Sequence, residues 1–152
     1  MKTSASISTL GVKSGLLTTL ALITFFMLMK TLHLHRILEL HFLNGFFLFA
    51  GILLSMNYLK SLTHGNIDYF QGLLLGILIS VISAVSFAVF FYFYLYKIDP
   101  GFMQYIKENG WMGSFLNPSL VASTIIIEGI SSGAIISYVL MPYFKRNEIE
   151  PV

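Results

Sequence analysis

Four stretches of this chain stay apolar for the length of a membrane crossing, and its charged residues fall mostly in the gaps between them. A helix needs about 20 mostly apolar residues to traverse roughly 30 Å of hydrocarbon. Stretches of that kind run from Ser14 to Leu32, from Leu40 to Leu59, from Phe70 to Tyr96 and from Leu116 to Tyr143. The third exceeds a minimal span, so it is expected to tilt or to project from the bilayer. Its closing run, FFYFYLY, sets Tyr92, Tyr94 and Tyr96 where an aromatic belt is expected.

The connections are short enough to force antiparallel neighbours. HLHRILE (His33 to Glu39) and KSLTHGNID (Lys60 to Asp68) have room only for turns, the second with its breakers at His64-Gly65-Asn66. The third connection carries more. Asp99-Pro100-Gly101 is expected to stop the third span, and Asn117-Pro118 to start the fourth. Between them Phe102, Met103, Ile106 and Trp111 give either an interfacial segment with an apolar face beside Lys107 and Glu108, or an ordered loop anchored by the Trp. The predicted fold is all-α: a polytopic membrane protein, one domain over 1–152, folded as an antiparallel bundle of four transmembrane helices with a short interfacial segment before the last.

Composition agrees with bilayer as solvent. Hydrophobic residues make up 56% of the chain and charged residues 11%; a soluble domain carries roughly 25% charged residues. The nine Lys and Arg are spread out, with no basic stripe interleaved with aromatics, so nucleic acid is excluded as a partner. No cysteine is present, which removes disulfides and thiolate chemistry. Lys30 follows the first apolar run with no small-x-small site before it, so that run reads as an uncleaved span. Lys2, Lys13, Lys60, Lys145 and Arg146 fall at the end that holds both termini, against Lys30, Arg36, Lys97 and Lys107 at the other. The positive-inside rule then puts both termini in the cytoplasm of a multi-pass inner-membrane protein.

One residue stands out. In IIIEGISSGA, Glu128 interrupts the fourth apolar run, and at 3.6 residues per turn it shares a face with Thr124, Ser131, Ser132 and Ile135. Ile127, Ile130 and Ala134 lie roughly opposite. The expectation is that the Glu128 face meets protein and the isoleucine face meets lipid. A charged carboxylate at that depth costs several kcal/mol, and no Lys or Arg stands mid-span to pair it. Thr24, Ser80, Ser83 and Ser86 lie at similar depth on other spans. Glu128 is therefore expected to be neutral and hydrogen-bonded inside the bundle, or else to be a proton or cation site reached by water along those hydroxyls.

Other clusters point to packing. Gly129-x-x-x-Gly133 on the fourth span and Gly72-x-x-x-Gly76-x-x-x-Ser80 on the third, with Ser83 beside it, are small-residue strips that let helices approach closely. Asn44, Gly45, Gly51 and Ser55 form a weaker version on the second. These faces suit the bundle itself, a homo-oligomer or another membrane protein. Around the first turn, His35 and Glu39 share a helical face, with His33 and His41 nearby, and could hold a divalent metal; interfacial polar residues are the plainer reading. No cofactor motif, phosphate loop or nucleophile–base set is visible, so an enzyme is not expected.

The stretch YFQGLLLGILISVISAVSFAVFFYFYLYKIDPGFMQ resembles the central segment of a family of small bacterial membrane proteins, domain-of-unknown-function family 4199, found mainly in Bacteroidota. Tyr69-Phe70-Gln71-Gly72 stands where members begin the third span, and Ile98-Asp99-Pro100 where they leave it. The resemblance implies four spans in an inner membrane and no assigned activity. Two readings of function remain: a non-enzymatic structural or accessory subunit packed through its small-residue faces, and a small transporter or channel component with Glu128 at its centre.

Overall fold

The computed structural model describes residues 2–32, 42–63, 67–109 and 113–146, apart from the side chains of 2–6, 42, 43, 114, 145 and 146. The described residues form helices and no strands: α1 (Lys2–Thr31), α2 (Phe42–Leu62), α3 (Tyr69–Phe93), α4 (Pro100–Asn109) and α5 (Pro118–Arg146). A π-helical turn, Tyr94–Ile98, ends α3, and a 3-10 turn, Gly113–Phe115, precedes α5. Four helices are long and apolar enough to cross a membrane: Ile7–Thr31, Asn44–Leu62, Tyr69–Ile98 and Pro118–Phe144. α1 starts twelve residues before the expected Ser14, because nothing in KTSASISTLGVK breaks a helix.

α3 is the axis of the molecule. Its mean hydropathy is the highest of the four spans and it is the most enclosed, with α1 and α5 against its two sides and α2 touching all three. One stripe of α1 faces it: Ile7, Gly11, Gly15, Thr18, Leu22, Phe26 and Met29 are buried, while Val12, Leu16, Leu17, Leu20 and Leu28 point outward. Gly11 lies on Leu78 and Gly15 on Ile82, both sequence offsets being the same, so α1 and α3 run parallel. α5 runs antiparallel to α3.

The α3–α5 contact is a seam of small side chains. Gly72 meets Met141, Gly76 meets Ser137, Ser80 meets Gly133 and Ala84 meets Gly129. Each step is four residues on both helices, so one straight strip of each packs on the other. A Cβ added at Gly129 would stand 2.7 Å from that of Ala84, closer than two carbons can approach. Within the seam a motif repeats: the Ser80 hydroxyl donates to the Gly76 carbonyl and the Ser137 hydroxyl to the Gly133 carbonyl, at 2.7 and 2.6 Å. Each serine thus satisfies itself on its own helix and fills the bare glycine of the other. With no hydrophobic gain available between helices in lipid, this close van der Waals fit holds such helices together.

The two charged-apolar junctions are built alike. At the end of α3 the Asp99 N–H donates to the Tyr94 carbonyl five residues back, which is the π turn. Asp99 then caps α4: its Oδ1 accepts from the Phe102 N–H at 3.0 Å, with Pro100 in the first helical position. Asn117 repeats the device for α5, its Oδ1 accepting from the Leu120 N–H at 2.8 Å with Pro118 following. α4 turns Phe102 and Met103 into the bundle and leaves Gln104, Lys107 and Glu108 exposed, so the interfacial segment is a helix with an inward apolar face.

The aromatic belt is corrected. Tyr92 and Tyr96 stack 6.2 Å apart on the outer surface, but Tyr94 lies between them in sequence and so turns inward. It is 1% exposed, against Phe26 and Phe91. Residues two apart on a helix point to nearly opposite sides, so three alternate tyrosines cannot all face lipid.

Candidate functional site

The seam settles which side of α5 is covered, and it is not the Glu128 side. Glu128, Thr124 and Ser131 are exposed. The covered strip is Gly129, Gly133, Ser137 and Met141, about 100° round the helix from Glu128. The expectation that the Glu128 face packs into the bundle is thus overturned. Close approach is governed by the narrowest strip, and a carboxylate beside it is left at the rim.

At that rim lies a cavity of about 430 Å³. It occupies the half of the bundle nearer α4, beyond the point where Leu48 of α2 reaches Gly133 of α5. Leu22 and Phe26 of α1, Asn44, Gly45 and Leu48 of α2, and Phe87 and Phe91 of α3 form its apolar body, with Ile106 of α4 and Leu116 at one end. Glu128, Thr124 and Ser132 of α5 face Ser80 and Ser83 of α3 within it. Four members of the predicted polar set (Glu128, Thr124, Ser132, Ser83) therefore share one space. Ser131 does not line it, and Thr24 is exposed on α1, bonded to its own Leu20 carbonyl.

Most of the hydroxyls in the cavity are already engaged. Ser80 donates to Gly76, Ser83 to Ile79 and Thr124 to Leu120, all to carbonyls one turn back. The Glu128 carboxylate has no ion pair and no hydrogen bond among the described residues. Counting 1.5 Å per residue, Glu128 lies about 15 Å from Pro118 along a helix about 40 Å long. A centred hydrocarbon layer of roughly 30 Å would therefore hold it about 10 Å below the nearer boundary.

A second polar cluster closes the α4 end. Lys30 Nζ pairs with Asp99 Oδ2 at 3.1 Å, each side chain about a third exposed, and stands 4.5 Å above the centre of the Tyr94 ring. The Tyr94 hydroxyl is buried without a hydrogen-bond partner among the described residues. The charges at Lys30 and Asp99 were visible at span ends, but nothing in their spacing marks them as a pair. Ser137 was also missed, although Gly133-x-x-x-Ser137 has the spacing of Gly76-x-x-x-Ser80. Of the metal candidates, His35, Glu39 and His41 lie outside the described residues. Among the described residues no three His, Cys, Asp or Glu come together.

Fold and site together define a multi-pass α-helical membrane protein with a polar-edged cavity inside its span. The chain belongs to the DUF4199 family, proteins of unknown function, whose family model matches residues 13–146. No curated protein and no solved structure matches it.

Proposed function

We propose that this is a non-enzymatic accessory protein of a bacterial inner membrane, with both termini cytoplasmic, that holds a small ligand within the bilayer. The observation that carries this reading is the unpaired Glu128 carboxylate on the edge of a 430 Å³ cavity. An exposed carboxylate in hydrocarbon costs several kcal/mol, so an occupant that satisfies it is favoured. The volume falls within the roughly 300–1,000 Å³ of small-molecule sites. The small-residue faces argue the same way. On α3 and α5 they are filled by each other, so any homo-oligomer or membrane partner would have to use other surfaces.

Native mass spectrometry tests the reading. The chain extracted from its own membrane should carry a small molecule that the Gly45→Trp variant lacks, because Gly45 lines the cavity and a Cβ there has nothing within 4 Å, leaving room for an indole to occupy it. Identical ligand complements in the two would refute it. A second reading, a transport component with Glu128 as proton or cation site, is favoured by the depth of that carboxylate. It requires proton-linked flux in vesicles that Glu128→Gln abolishes while leaving the protein folded.

A further inference from the structure

We propose that the cavity ligand is a lipophilic amine: a protonated nitrogen, with Glu128 as its counter-ion, on an aromatic or branched apolar body. The inference rests on the binding reading above and adds the ligand's chemistry.

The lining decides the sign of the charge. Among the described residues no Lys, Arg or His borders the cavity, α1, α2, α3 and α4 contribute no titratable group to it, and Glu128 is the one charge present. An ionised carboxylate only accepts hydrogen bonds. The hydroxyls of Ser80, Ser83 and Thr124 already donate their O–H to backbone carbonyls and offer a ligand only their lone pairs. What remains is a group of acceptors, with the Asn44 amide and the Ser132 hydroxyl as the uncommitted donors. An anion is repelled there. A neutral apolar molecule fills the space but leaves the carboxylate unmatched in a medium where that is costly. An N–H cation satisfies it, and the low dielectric strengthens the pair.

Shape adds the body. Leu22, Phe26, Phe87 and Phe91 make the wall, and the three phenylalanines are at most 8% exposed. The source is the hydrocarbon layer itself. Glu128 lies about 10 Å below the headgroup boundary, beyond a lipid amine held at the surface, so a free amine is the occupant. Proton and amine compete for the same carboxylate.

The test uses the full chain in phosphatidylcholine nanodiscs, with empty nanodiscs as the partition blank, and three probes sharing one ring system: 2-naphthylmethylamine, 2-naphthylmethanol and 2-naphthylacetate. Equilibrium dialysis should show saturable binding of the amine at one per chain, at least tenfold weaker binding of the alcohol, and none of the acetate. Glu128→Gln should cost the amine at least tenfold and leave the alcohol unchanged. Gly45→Trp should remove both. Amine binding unchanged in Glu128→Gln, or alcohol binding as tight as amine, would overturn the amine proposal and leave the cavity reading standing. Absence of all three above the blank would overturn both.

Discussion

At Gly133 any side chain would land on Ser80, and at Gly76 any side chain would land on Ser137. Gly133→Leu must therefore push α5 off α3. Overpacking of this kind costs about 1–3 kcal/mol, which should appear as a lower melting temperature in detergent. Gly45→Ala is the control. An added methyl there meets nothing within 4 Å, and removing a helical glycine gains up to about 1 kcal/mol, so the same melt should hold or rise. Ser137→Ala deletes a hydroxyl bonded only within its own helix and should cost about 0.6 kcal/mol or less, the scale of such bonds in membrane bundles. Glu128→Gln has no partner to lose among the described residues. Its melting temperature should equal or exceed that of the parent, and a fall of several degrees would mean that the carboxylate is held after all.

Among the elements, the caps are the most readable features. Asp99-Pro100 marks the end of the third span and Asn117-Pro118 the start of the fourth from sequence, and in the structure both side chains also cap the helix that follows. Asp99 also holds Lys30, so its two roles separate by substitution. Asp99→Asn keeps an acceptor for the Phe102 N–H and loses the partly exposed ion pair to Lys30, which is worth about 0.2–1 kcal/mol. Asp99→Ala loses the cap as well, at about 0.5–2 kcal/mol more. A melting series of the two variants checks the order. The spans were legible because apolar length is a one-dimensional signal. Which face of α5 is covered was not, because Glu128 and Gly129 are adjacent in sequence and each suggests a different inward side. The seam resolves that contest in favour of the strip whose partner, Gly72 to Ala84, has the same four-residue step. Tyr94 shows the same limit, since a belt drawn from composition ignores the turn of the helix.

For the whole molecule, the parallel α1–α3 and antiparallel α3–α5 arrangements bring the start of α1, the end of α2 and the end of α5 to one side, and α4 to the other. The chain has no cysteine of its own, which suits it to single-site labelling. Cysteines placed at Ser61 and Tyr143 should react with an impermeant maleimide from one face of the membrane, and one at Asn109 only from the other. Labelling of all three from a single face would break the four-span arrangement. The cavity, by contrast, could not be foreseen from the sequence, because spacing along one helix says nothing of a space left between several.

The Gly–Ser alternation along α3 and α5 also works as a ratchet pawl. Sliding α5 by one turn, about 6 Å, in one direction would set Ser80 against Ser137 and jam. In the other direction it would set Gly76 against Gly133 and leave a hole. Piston motion of α5 is thereby blocked in both directions.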